Sequence, residues 1–213
     1  MLSMEKIRHC VFGQILTIAL LLVLALPQVA EAQSLYSDSL PQPRIALRTN
    51  LLYDATLSPN LGLDVRVDSA WTVGLLAGLN AWDIDKESNK KWRHMLFSLR
   101  ARRYANNALF QKRYFETDLI YSHFNVGNVK FPFGLYSDVK DRRLQGDLIA
   151  LGGKYGYSWI MARDWRIEAE AGVAVGYAWF KEYECAVCGP YYGRGDRIFL
   201  LPLLGINVVY IIN

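Results

Sequence analysis

Past Leu26 this chain of 213 residues has no long apolar stretch free of charge, which excludes a bundle of membrane-spanning helices. Its hydrophobic residues, 52% of the total, are spent about one position in two, so mean hydropathy is only +0.07. Basic runs are missing too: the net charge of +4 is scattered, and no nucleic-acid partner is expected. Cysteine is scarce. Cys10 precedes the N-terminal apolar run, where it is out of place for a lipidated cysteine, and only Cys185 and Cys188 remain. With neither a second such pair nor a nearby histidine, a four-ligand zinc site is not available, and no metal or cofactor is expected. Outside the cytosol, a Cys185–Cys188 pair reads first as a loop-stapling disulfide, with free or redox-active thiols as the alternative.

What is present is alternation. Trp165, Ile167, Ala169, Ala171, Val173, Val175, Tyr177 and Trp179 share one parity, while Arg166, Glu168, Glu170, Gly172, Ala174, Gly176 and Ala178 share the other. A period of two over this length is a β-strand. One face is wholly apolar with aromatic residues at both ends; the other mixes charges with the smallest residues. That division fits lipid outside and a crowded polar lumen inside.

The same pattern recurs about eight times. Ile45, Leu47, Thr49, Leu51 and Tyr53 mark a first strand over residues 44–53; Leu61, Leu63, Val65 and Val67 a second; Trp71, Val73, Leu75, Ala77 and Leu79 a third. After a charged loop at 83–93, Met95, Phe97, Leu99 and Ala101 form the fourth, and Phe115, Thr117, Leu119 and Tyr121 the fifth. A long loop at 125–143 leads to a sixth with Ile149, Leu151, Gly153, Tyr155 and Tyr157. The seventh is the example above. A further loop at 182–196 precedes an eighth carrying Ile206, Val208, Tyr210 and Ile212. Connections alternate short and long, as periplasmic turns and surface loops do. The fold class expected is an all-β, eight-stranded antiparallel transmembrane barrel of the outer-membrane type.

Arg48, Arg66, Arg100, Arg102, Lys154 and Arg166 fall on the inward parity together with Asp64, Glu116, Asp118, Glu168 and Glu170. Eight strands leave an interior just wide enough for side chains, so these charges are expected to pair as a lumen network and plug the barrel. Glu116 with Asp118, or Glu168 with Glu170, is a paired-carboxylate motif by spacing, but the arginines alongside favour an ion-pair network over catalysis. His94 and His123 are the histidines after the leader. Ser122 is adjacent to His123 and so points to the opposite face, which argues against a serine–histidine lipid hydrolase. A soluble, lipocalin-like periplasmic barrel is the architectural rival, with the same alternation turned inside out.

The N-terminus reads as an export signal over 1–32: Lys6, Arg8 and His9, an apolar run, then Ala30-Glu31-Ala32 before Gln33. Residues 33–43 form a short periplasmic lead-in, and 44–213 the barrel. Cleavage and outer-membrane localisation are the expectation, with outer-membrane lipids and the barrel-assembly machinery as partners.

Arg48-Thr49-Asn50-Leu51-Leu52-Tyr53-Asp54, followed by Ser58-Pro59-Asn60-Leu61-Gly62, resembles the opening signature of the uncharacterised outer-membrane proteins grouped as domain of unknown function 3575 in Bacteroidales. Gly156-Tyr157-Ser158-Trp159, Trp165-Arg166-Ile167-Glu168, and Lys181-Glu182-Tyr183-Glu184-Cys185 with Cys188-Gly189 are similar as well. Ile160 departs from the proline expected after the sixth strand, and Asn213 from an aromatic end. The resemblance implies an outer-membrane barrel with no assigned activity and a link to surface fimbriae. The function expected is therefore noncatalytic: a structural or surface-interaction protein acting through extracellular loops, with a lipid-modifying enzyme as the alternative.

Overall fold

The computed structural model describes residues 44–85, 90–128, 142–183 and 190–212; the expected leader, the lead-in and the pair Cys185 and Cys188 lie outside these. Among the described residues nine strands form one antiparallel sheet: β1 (Ile45–Asn50), β2 (Asn60–Arg66), β3 (Trp71–Asn80), β4 (Asp83–Asp85), β5 (Lys90–Tyr104), β6 (Lys112–Gly127), β7 (Arg143–Ile160), β8 (Trp165–Tyr183) and β9 (Tyr191–Ile212). β1 pairs with both β2 and β9, and β3 pairs with β5, so eight strands close into a ring; the three-residue β4 is a side pairing on β5. Among the described residues no helix is long and apolar enough to cross a membrane.

The ring's register fixes its shape. Starting from Arg48, the directly paired residues run Gly62, Leu76, Ser98, Ile120, Ala150, Gly176 and Phe199, yet Arg48 itself pairs with Val209. The path therefore slips by ten residues on β9 in one circuit. With a rise of about 3.3 Å per residue and strands about 4.8 Å apart, that stagger tilts the strands by about 40°. It also decides which inward residues share a level.

Alternation places side chains as expected along most of the wall. Leu61, Leu63 and Val65 on β2, Phe97 and Leu99 on β5, Leu119 on β6, and Val173 and Val175 on β8 are exposed on the outside; Asp64, Arg100, Asp118 and Glu170 are buried inside.

The structure departs from the sequence reading at the end of β1 and at the edges of the loops. Leu51 and Tyr53 do not continue β1, because Leu51–Ala55 forms a one-turn helix, α1. Asn50 caps it, its side-chain oxygen accepting from the Leu52 N–H at 2.9 Å, a local bond that outcompetes a continuing ladder. Strand enters the expected loops at 83–93, 125–143 and 182–196 from their ends, Asp83 pairing with Lys91, Asn125 with Gln145 and Glu182 with Gly193, while residues 86–89, 129–141 and 184–189 lie outside the described residues. Charge and glycine mimic a loop there, whereas the pairing partner decides. At Gly195 a Cβ would lie 2.9 Å from the Phe180 ring, so the glycine makes room for an aromatic across the hairpin.

Candidate functional site

The interior is layered from the end where β1 begins and β9 finishes. The lowest layer is apolar: Ala46, Tyr104, Leu109, Phe110, Tyr114, Val209 and Ile211 form one buried cluster. Leu109 and Phe110 come from the β5–β6 connection, which folds into the mouth and is held there by the Ser158 hydroxyl donating to the Phe110 carbonyl at 2.9 Å. Tyr104 packs on both Phe110 and Tyr114 with ring centroids 5.5 Å apart.

Above it lies the charge network. Arg48 Nε donates to Asp64 at 2.5 Å and its Nη1 to Glu168 at 2.7 Å. Arg102 donates to the same Glu168 oxygen at 2.8 Å, to Glu170 at 3.0 Å, and to Glu116. Its guanidinium also stacks 4.3 Å from the centre of the Tyr114 ring, whose hydroxyl donates to Glu170 at 2.9 Å. Lys154 Nζ bridges Glu116 at 2.5 Å, Glu170 at 2.9 Å and Asp118 at 3.3 Å. Arg100 reaches Asp64 at 3.4 Å, and Ser98 donates to Asp118 at 3.0 Å. Four cations thus thread through five carboxylates. A cavity of about 20 Å³ beside Asn50, Arg100, Asp118, Lys154 and Glu170 has room for about one water.

Glycine makes the fit possible. A Cβ on Gly74 would lie 2.7 Å from the Leu63 carbonyl oxygen and collide with the Asp64 carboxylate, and one on Gly62 would lie 2.5 Å from Arg100 Nη2. A side chain at Gly74 displaces the anion that joins Arg48 to Arg100, and one at Gly62 pushes on the two arginines themselves.

Two of the expected network residues lie elsewhere. Arg66 is half-buried, and its Nε donates to the Asp68 carbonyl at 3.3 Å in the β2–β3 turn. Arg166 is buried, but its Nη1 serves the carbonyls of Ala162, Arg163 and Trp165 around the β7–β8 turn. Both sit at an end of their strand, beside a turn whose backbone carbonyls they serve. Parity gave the face but not the height.

The plug does not fill the barrel. Above the charges, Ile120, Ala150, Ala174 and Leu203 form a second apolar cluster, with Leu96, Leu148 and Leu201 against it. Over that cluster opens a cavity of about 470 Å³, bounded by side chains such as Trp92, Phe124, Leu144, Phe180 and Phe199. Alternation could not reveal it, since in segments such as Leu75-Leu76, Leu148-Ile149 and Phe199-Leu200-Leu201 both parities are apolar.

The wall beside this cavity is uneven because β1 stops at Asn50. The signature segment ties off the short strands. Asn60 accepts from the Asn50 N–H at 2.8 Å and donates to the Asn50 carbonyl and to Asp54, both at 3.0 Å. Thr49 donates to Asp54 at 2.8 Å, and Asn80 to Ser58 at 3.1 Å. The motif is a polar knot that ends β1, starts β2 and presents Leu52 and Tyr53 to the cavity.

His94 and Ser122 both line the cavity from inward positions. They are diagonal neighbours, since Leu96 pairs with Ser122 and His94 with Phe124, which in a sheet is about 7–8 Å and beyond direct hydrogen-bond reach. His123 faces outward and pairs with Asp147 at 2.8 Å, as does Tyr121.

A closed eight-stranded antiparallel barrel with a charge-filled waist is the class of protein that this fold and site define. A family model described as "Protein of unknown function (DUF3575)" matches residues 17–212, and the chain belongs to that family. No curated protein matches it.

Proposed function

We propose that this protein is a noncatalytic outer-membrane β-barrel, closed to ions through its waist, that serves as a structural scaffold and presents the connections around 128–142 and 184–190 to a surface partner. The observation that carries the reading is an inversion of polarity. The ring turns a continuous apolar surface outward and buries its charges, the reverse of a soluble protein. Aromatic pairs mark two belts: Trp165 with Tyr210, centroids 4.9 Å apart, and Tyr177 with Trp179, 6.0 Å apart. Trp165 and Tyr177 are twelve positions apart on β8; at about 3.3 Å per residue and a tilt of about 40° the belts stand roughly 30 Å apart, a hydrocarbon thickness.

Membrane fractionation with heat-modifiable gel migration tests this. Recovery in the outer membrane with a band that shifts on boiling is expected, together with protease cleavage near 128–142 on intact cells. A soluble, unshifted protein would overturn the proposal and favour the lipocalin-like alternative. A surface partner, of fimbrial or other kind, is supported by the β6–β7 and β8–β9 ladders ending opposite the end where β1 begins and β9 finishes, because connections on a rigid scaffold are where binding residues concentrate.

A further inference from the structure

We infer that the upper half of the barrel is a binding site for one hydrocarbon chain of a bilayer lipid, which enters sideways from the membrane through a notch along the strand-free edge of β9 above the α1 turn, which itself packs against β9. The inference rests on the outer-membrane reading above and adds a ligand to it.

The notch follows from strand length. β1 and β2 have six and seven residues, whereas β8 and β9 have 19 and 22. Pairing between β1 and β9 ends at Asn50 with Asn207, so in the ladders of the described residues 201–206 of β9 have β8 on one side and no strand on the other. The sequence treats this stretch as an edge. Pro202 has no N–H to leave unpaired, and the Leu204 carbonyl accepts from the Asn50 side chain at 3.4 Å. Proline inside an apolar strand is the signal by which the sequence announces such an edge.

The cavity runs to that edge. Inward-facing Leu201 and Leu203 line it, and so do Pro202 and Leu204, which are on the outward parity of the same strand. Its sill is Leu52, Tyr53 and Thr56 of the signature segment. Beside the sill Leu57 is 64% exposed and holds φ at 59°, a conformation unfavourable for a leucine, with its carbonyl accepting from Trp82 Nε1 at 2.5 Å. Backbone strain spent to present an apolar side chain points to an apolar neighbour.

Depth selects the occupant. β1 ends in register with Asn207 and, one strand on, Glu168; Tyr177 of the upper belt is nine positions further along β8, roughly 20 Å higher. The notch therefore opens where the outer wall faces acyl chains, and Leu200 and Leu204 on the exterior continue the lipid surface to its rim. A volume of 470 Å³ is within the roughly 300–1,000 Å³ of small-molecule sites. Arg197 is the charged residue lining it, and its other polar groups are few, His94 and Ser122 on the wall and Tyr53, Thr56 and Ser58 at the sill, against a lining made mostly of leucine and aromatic side chains. A hydrocarbon chain with its headgroup left outside fits both the lining and the side entrance.

The test uses the full chain, extracted from membranes in detergent and returned to vesicles of phosphatidylcholine carrying a diazirine on the terminal carbon of one acyl chain. After illumination, labelled residues are mapped by mass spectrometry. The expected result is labelling of Leu148, Phe180 and Leu201 inside as well as Val173 and Leu200 outside. Ala178→Trp should cut the interior labels by about tenfold, the equivalent of about two methylenes denied burial, and leave the exterior labels unchanged. Leu201→Trp, which fills the notch side, gives the same comparison if the first variant fails to show a heat-shifted band. Labels confined to the exterior of a heat-modifiable barrel would overturn the lipid site alone. A protein that shows no heat shift and takes no label overturns the barrel reading on which the site rests.

Discussion

At the scale of single residues, burial turns a charge from a surface ornament into a constraint. Arg102 is fully buried and holds Glu116, Glu168 and Glu170 at once, so it is the joint between the two rows of the waist. Arg102→Met keeps volume but leaves Arg48 as the cation on Glu168 and Lys154 as the cation on Glu116 and Glu170, with the bonds they accepted from Arg102 unmade. Breaking a buried pair from one side costs roughly 3–5 kcal/mol, and urea unfolding of the barrel in detergent, followed by its heat-shifted band, should move by that amount. An unaltered midpoint would show that water, not Arg102, carries the carboxylates. Removing both signs together is a milder change, because burial of the whole network is itself close to neutral.

At the scale of elements, the short β1 and β2 are as informative as the long β8–β9 hairpin. Leu51 and Tyr53 have the right parity to extend β1, and nothing in their side chains forbids it. What ends the strand is a set of reciprocal hydrogen bonds among Asn50, Asp54 and Asn60, formed across ten residues of chain. Asn60→Ala removes three of those bonds. With a net contribution of about 1 kcal/mol each, α1 should loosen without unfolding the barrel, and amide exchange at Leu52 and Thr56 should accelerate about tenfold or more while that of β8 stays unchanged. Equal acceleration in β8 would mean that the knot supports the whole ring rather than the notch.

At the scale of the molecule, three stacked interior layers behave differently towards solutes. The apolar floor and the ionic waist lie below the upper cavity, and the cavity of about 20 Å³ beside the waist is too small for a hydrated ion. In planar bilayers the protein should therefore give no conductance steps above background at physiological salt. Regular steps would mean that the floor formed by Leu109 and Phe110 opens, and would replace the closed scaffold with a pore.

Periodicity alone set the faces. A period of two with apolar residues on one side and charges on the other leaves one solution, since a slip of one residue would send every arginine to the wrong face. Hence the eight strands, their sidedness and the membership of nine of the eleven lumen charges were legible. Height was not. Which charges meet is set by a ten-residue stagger summed over eight pairings, and no local pattern contains that sum. Arg66 and Arg166 have the right parity but sit at the turns, so only the closed ring separates them from Arg48 and Arg102. The upper cavity was hidden for a different reason: where both faces of a strand are apolar, alternation disappears, and an empty interior reads the same as a filled one. Whether apolar side chains meet across a lumen or leave room between them depends on strand number, tilt and the length of each wall, and these exist only once the ring is closed.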